Sequence, residues 1–267
     1  MIDRENLEAI VREAGRIALA GWPGDGHALD HWDKSPDNPV TAIDLAVDEF
    51  LKRELQALLP AAGWLSEETA DAPHRLDGDL VWLVDPIDGT RAFIHGRDGW
   101  AISVALVSSS RPLLGYLFAP ARAREEGGEM WIGEAGKGSW RNGRRLAAST
   151  REELPRARVP AWKLHDEDAD LVTVAQPNSI ALRMAMVAND EADLVASLRW
   201  GYEWDIAAAG LIAREAGAVV TDAFGNPLNY NKRDPKAFGV LVCAPGIHAA
   251  AVERLAGRAE ALARPQD

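Results

Sequence analysis

The chain has 267 residues, with 41 acidic side chains against 29 basic ones and a formal charge of −12. That length allows one large α/β domain or two small ones, and that charge opposes binding to the phosphate backbone of a nucleic acid polymer. Cys243 is the single cysteine, so no intrachain disulfide can form and a reducing, cytoplasmic compartment is expected. The charged opening Met1-Ile2-Asp3-Arg4-Glu5 reads as a helix start rather than a signal peptide, and the apolar runs are too short to cross a bilayer.

Apolar residues at Ile2, Leu7, Ile10, Val11, Ala14, Ile17 and Ala18 predict a helix over 2–21, stopped by Gly21-Trp22-Pro23-Gly24. Residues 25–40 read as a loop or hairpin, and a second helix is expected over 41–59, before Pro60. A short strand at 63–66 delivers Glu67, and the apolar run 80–84 reads as a buried strand closed by Asp85-Pro86. Strands at 101–107 and 113–118 pair around a turn at 108–112, and 130–132 and 138–141 continue the pattern up to Asn142-Gly143. The charged stretch 151–170 marks a link between two halves. Beyond it come a strand at 171–175, a helix at 179–189 and a strand at 192–197. An apolar helix at 206–216, strands at 219–221 and 239–243 and a closing helix at 246–263 complete the chain. This mixture argues for layered α/β or α+β packing.

The chemistry centres on Asp85-Pro86-Ile87-Asp88-Gly89-Thr90, which follows a buried strand directly. Two carboxylates three residues apart in a tight turn can converge on a hard divalent cation, which takes oxygen ligands and leaves room for water and phosphate. The same hexapeptide also makes a plain solvated turn. Three further acids shift the balance: Glu67 in Ser66-Glu67-Glu68-Thr69, Asp44 at a helix start in Val40-Thr41-Ala42-Ile43-Asp44, and Asp205 in Trp204-Asp205-Ile206-Ala207-Ala208. Helix capping or the helix dipole would account for Asp44 and Asp205 singly. It would leave Trp204 and the small residues after Asp205 unexplained.

In this order and spacing, the segments resemble the inositol monophosphatase superfamily of Mg²⁺-dependent, lithium-sensitive phosphatases. Gly136-Lys137-Gly138, Asn142-Gly143 and Glu215-Ala216-Gly217-Ala218 match as well, so the resemblance runs from about residue 5 to 255. It implies an α+β fold, a five-layered αβαβα sandwich, with most metal ligands in an N-terminal half (1–155). Asp205 and substrate contacts fall in a C-terminal half (156–267). It also implies two or three Mg²⁺ ions. Glu67, Asp85 and the carbonyl of Ile87 would hold the first, and Asp85, Asp88 and Asp205 the second. A third, weaker ion would contact Glu67 through water. Asp44 and Thr90, with Glu67, would orient and activate the attacking water, while Gly89 and Thr90 would donate to the phosphate. Either a monomer or a homodimer is compatible with the family.

The substrate region departs from the inositol phosphatase branch. Asn178 and Ser179, in Gln176-Pro177-Asn178-Ser179-Ile180-Ala181, stand where that branch has Gly-Ser/Thr-Ala, and Leu198 and Tyr202 replace its Glu and His. Glu203-Trp204-Asp205 and Asp88-Gly89-Thr90-Arg91-Ala92-Phe93-Ile94 look more like bacterial 3′(2′),5′-bisphosphate nucleotidases. Leu198, Trp200 and Tyr202 then offer an apolar and aromatic surface on which adenine could stack, or they simply pack between strand and helix. The expectation is therefore a small phosphorylated substrate, leaning to a 3′(2′),5′-bisphosphate nucleotide. Inositol 1-phosphate is the alternative, followed by histidinol phosphate or a sugar phosphate. A non-catalytic protein that binds metal or phosphate is the reading from a different class.

Overall fold

The computed structural model describes residues 2–24, 29–35 and 38–263. Helix α1 (Arg4–Gly21) leads to a two-stranded antiparallel ribbon, β1 (Trp32–Ser35) with β2 (Asn38–Val40), and then to α2 (Ala42–Leu58). The loop-or-hairpin stretch at 25–40 is thus a ribbon at its far end. Its residues 25–28 and 36–37 lie outside the described residues.

A seven-stranded sheet follows. Its strands lie in sequence order: β3 (Gly63–Ser66), β4 (Leu80–Asp88), β5 (Ala101–Ser108), β6 (Arg111–Ala119), β7 (Glu129–Glu134), β8 (Gly138–Arg141) and β9 (Arg144–Arg145). The β3–β4 pairing is parallel and the others are antiparallel. The short α3 (Thr90–Ile94) sits between β4 and β5. A parallel pair, β10 (Arg158–Pro160) and β11 (Val172–Val174), precedes α4 (Ile180–Ala188). The chain then runs through β12 (Leu194–Tyr202), α5 (Glu203–Glu215), β13 (Val219–Thr221), β14 (Lys236–Cys243) and α6 (His248–Ala263). Strands β12, β14 and β13 form an antiparallel three-stranded sheet in that order.

Strand alternation sets the layers. On β4, Trp82 and Val84 point into one core with Leu7, Val11, Leu51 and Leu55 of α1 and α2. Val81 and Leu83 point the other way, into a core with Met184, Ala208 and Ile212 of α4 and α5. That second core reaches Val195, Val220 and Val242 of the smaller sheet. The far side of the smaller sheet packs Leu194, Leu241 and Cys243 against Ala251 and Leu255 of α6. The result is the expected αβαβα sandwich. Successive residues on each central strand serve opposite cores, which is why the strands read as continuous apolar runs.

Several boundaries differ from the sequence reading. Strand β4 passes through Pro86 to Asp88. The register against β5 slips between Asp85 and Asp88, so Pro86 falls in a bulge where no ladder donor is required. The β5–β6 turn is tighter than expected, with Ser109 and Ser110 both left-handed (φ 46° and 67°), as a two-residue hairpin turn demands. Strand β12 extends to Tyr202, and α5 starts at Glu203 instead of Ile206. Exposed Arg199, Trp200 and Tyr202 and a bulge hid the strand end from the apolar pattern.

Candidate active site

Four carboxylates converge where β3, β4 and the start of α5 meet. Because β3 pairs in parallel with β4, Glu67 emerges beside Asp85, and its N–H donates to the Val84 carbonyl at 3.3 Å. Asp85 is 2% exposed; its Oδ1 accepts the Ile87 N–H at 3.0 Å, which tightens the bulge. Asp205 stands third in α5, and its Oδ2 accepts the Tyr202 N–H at 3.0 Å. Oxygens of Glu67, Asp85 and Asp205 all lie within 4.8 Å of one another. Asp88 is not part of that close triplet. It is drawn toward α4, where its Oδ2 accepts the Ser179 hydroxyl (2.5 Å) and the Ala181 N–H (2.7 Å), and its Oδ1 accepts the Ile180 N–H (3.3 Å).

Burial followed by the repulsion of neighbouring carboxylates raises Asp85 and Asp205. Burial, then the charges of Glu67, Asp88, Asp205 and Asp44, hold Asp85 well above the usual carboxylate range. Asp205 is raised well above it by burial, then by Asp88 and Glu67. Asp88 is raised by burial against the opposing bonds from Ser179 and Ala181 and the charge of Arg183. Gathering buried carboxylates is costly without a compensating cation. The donor set is all oxygen, as a hard divalent ion requires. The residues present therefore fit a metal centre.

Asp44 and Thr90 sit beside the cluster. Asp44 is the third residue of α2, and its Oδ2 closes a capping box by accepting both the N–H (2.8 Å) and the hydroxyl (2.5 Å) of Thr41. Its Oδ1 lies 3.4 Å from Thr90 Oγ1, which also reaches the Ile87 carbonyl at 3.0 Å. Burial raises the Asp44 carboxyl, with the Thr41 bonds opposing it and the Glu67 charge adding to it. Gly89 initiates α3 at φ 97°; a Cβ there would lie 2.9 Å from the Gly99 carbonyl oxygen and 3.0 Å from the Ser179 nitrogen. Only glycine fits this corner between β4 and α4.

The expected substrate residues divide. Asn178 lines a wide groove beside the cluster. Ser179 is fully buried, and its hydroxyl is committed to Asp88 and, as the α4 N-cap, to the Leu182 N–H at 2.9 Å. This bonding makes it a support for a carboxylate rather than a free donor to substrate. Tyr202 lines a small pocket over Asp205, but one ring face is covered by Trp204 in a parallel stack (4.4 Å, 6°). Leu198 packs toward α6 and Trp200 against Phe238, so Leu198, Trp200 and Tyr202 do not form one stacking surface. The register slip between Ser197 and Trp200 sets Leu198 apart from the other two. Trp162, which the sequence reading did not single out, is 83% exposed on the groove rim.

Sequence reasoning also missed Asp48, and it quoted Glu203 only within Glu203-Trp204-Asp205, without a role of its own. Buried Asp48 accepts the hydroxyls of Ser66 and Thr69, which flank Glu67. Its position one turn after Asp44 on the apolar face of α2 was an available signal. Glu203 is fully buried and accepts the N–H groups of Asn231 (2.5 Å) and Lys232 (3.1 Å), fixing the loop that faces the α5 N-terminus.

The match of this sequence and its layered sandwich to a family of phosphatases and to their solved structures gives the class: this chain is an enzyme that hydrolyses phosphate monoesters. The sequence matches the profile of the inositol monophosphatase family over residues 4–262, and the chain belongs to that family. Inositol monophosphatase 3 of Solanum lycopersicum is 29% identical over 239 residues, covering 83% of this chain and 86% of that protein. The 3′(2′),5′-bisphosphate nucleotidase CysQ of Escherichia coli is 32% identical over 238 residues, covering 84% and 92%. Among solved structures, the Thermotoga maritima IMPase superimposes with a TM-score of 0.82 at 26% identity, covering 98% of this chain and 100% of that one. No helix among the described residues is long and apolar enough to cross a membrane.

Proposed function

We propose that this enzyme is Mg²⁺-dependent and that its substrate is a small nucleotide of the 3′(2′),5′-bisphosphate type. The observation that carries the metal dependence is the triplet of buried Asp85 with half-buried Glu67 and Asp205, with Asp88 adjoining it. Those four side chains and the Ile87 carbonyl would hold two or three ions. Bound Mg²⁺ supplies charge neutralisation of the phosphate, a lowered pKa for water and a stabilised leaving oxygen. The protein residues do the positioning. Asp44 and Thr90 form a hydroxyl–carboxylate pair that accepts and relays the proton of the attacking water, while the Ile87 carbonyl and Thr41 fix the two partners. Gly89 and Thr90 open α3, where first-turn N–H groups have no intrahelical acceptor and can donate to phosphate oxygens.

The nucleotide reading draws on the Escherichia coli relative and on Leu198 and Tyr202 at positions where inositol phosphatases have polar contacts. Inositol 1-phosphate is the second reading, supported by the Solanum lycopersicum relative. Phosphate release from adenosine 3′,5′-bisphosphate and from inositol 1-phosphate, at matched Mg²⁺, tests both. A higher kcat/KM for the nucleotide is expected, and preference for the inositol ester overturns the substrate assignment.

A further inference from the structure

Strand β3 alternates between two cores: Trp64 faces α1 and α2, and Leu65 faces α4 and α5. Ser66, the last residue of β3, falls on the Trp64 side and meets Asp48 of α2. Asp48 lies on the buried face of that helix with Val47, Leu51 and Leu55, and is 5% exposed. A buried carboxylate is costly to keep, and a well-packed apolar side chain in such a place is often as stable or more so. Packing alone gives no reason for an aspartate at this position; its bonds do.

Asp48 Oδ1 accepts the Ser66 hydroxyl, and Oδ2 accepts the Thr69 hydroxyl. These donors stand one residue before and two residues after Glu67. The Ser66 oxygen in turn accepts the Glu68 N–H at 3.4 Å, and the Val84 carbonyl accepts the Glu67 N–H at 3.3 Å. One carboxylate therefore clamps both ends of the turn that carries Glu67, while β4 holds its middle. One turn earlier on the same helix, Asp44 faces Thr90. Helix α2 thus fixes the place of Glu67 relative to Asp44.

We infer that Asp48 is a positioning residue for the divalent ion: acting through Ser66 and Thr69, and not as a ligand, it holds the Glu67 carboxylate where an ion can use it. The inference rests on the metal-dependent reading above and deepens it. Groups that orient a metal-binding side chain commonly contribute about 10- to 100-fold in metal affinity. A clamp of this kind lowers the cost of ordering Glu67 when the ion arrives, so its loss falls on ion binding more than on turnover of the loaded enzyme.

The test is calorimetric titration of Mg²⁺ alone into chelator-treated protein, beside kcat at saturating Mg²⁺. Asp48→Ala should raise the Mg²⁺ Kd by about 10- to 100-fold, with much of the lost activity returning as Mg²⁺ is raised. Asp48→Asn, whose amide oxygen still accepts one hydroxyl, should fall between Asp48→Ala and wild type. Thr69→Val keeps the side-chain shape at a half-buried position and removes one donor, so it carries the test if Asp48→Ala folds poorly; its Kd should rise by a smaller factor. A merely structural role would lower Tm and leave the Kd of the folded protein unchanged, and that result overturns the inference. If wild type binds no divalent ion, the metal reading itself has failed. The clamp is then judged by amide hydrogen exchange. Glu67 and Glu68 should exchange faster in Thr69→Val and Asp48→Ala while α2 stays protected, and unchanged exchange at both overturns it.

Discussion

Ser179 links the two sides of the site through one hydroxyl, so Ser179→Ala should disturb stability and metal use together. The hydroxyl donates to Asp88 Oδ2 at 2.5 Å and accepts the Leu182 N–H at 2.9 Å, both fully inside the protein. Loss of an N-cap costs about 1 kcal/mol, and loss of a buried bond to a charged acceptor about 1.5–3 kcal/mol. The two share one atom and do not add in full, so about 2–3 kcal/mol of destabilisation is expected. For a protein of this size that corresponds to a fall in Tm of roughly 4–10 °C. Asp88 would also lose one of its two short donors and move relative to Asp85 and Asp205, so half-maximal activity should require more Mg²⁺. Denaturant unfolding and a Mg²⁺ activation curve measure the two effects, with Ser179→Thr as the conservative control. An unchanged unfolding midpoint together with an unchanged Mg²⁺ requirement would refute this account of Ser179.

Three further outcomes follow from the geometry. Gly89→Ala places a Cβ 2.9 Å from the Gly99 oxygen at φ 97°; about 1–3 kcal/mol of stability and at least about tenfold in kcat should be lost, as steady-state kinetics and thermal melts would show. Thr90→Ala should lower kcat by about 10²- to 10³-fold with little change in KM, since proton relay matters in the transition state; a raised KM at constant kcat would indicate simple phosphate binding. Asp193 opposes its own burial by accepting bonds from Arg158 and Ser149, which hold its carboxyl down to about 2. Its folded pKa is depressed, so its contribution of about 2 kcal/mol is present above about pH 4 and is lost as pH falls toward 2. Asp193→Asn should flatten that part of the stability–pH curve, measured by denaturant unfolding at stepped pH.

The acidic cluster and the sandwich were legible because their signals are local. Asp85 to Thr90 is one contiguous turn after an apolar strand, and the doubly buried strands carry continuous apolar runs. The boundary errors have a common origin. Pro86 normally ends a strand, but a bulge absorbs it, and the end of β12 carries exposed residues that break the apolar pattern. The substrate side was harder to read because it is assembled from distant segments. Ser179 looked like a ligand contact until its hydroxyl was seen to be bonded to a residue 91 positions away. Tyr202 looked available for stacking until Trp204 was found lying flat against it.

The central claim is that a buried carboxylate cluster at the end of β4 makes this enzyme dependent on a divalent ion. The most direct test is phosphate release from a small phosphate monoester by chelator-treated protein, before and after Mg²⁺ is restored, in wild type and in Asp85→Asn. Wild type should be inactive without the ion and recover with it. Asp85→Asn should remain folded yet lose more than about tenfold in kcat at saturating Mg²⁺, at least ~1.4 kcal/mol of transition-state stabilisation. Full wild-type turnover in the presence of chelator, or a folded Asp85→Asn enzyme that keeps more than about a tenth of wild-type kcat, would contradict the account.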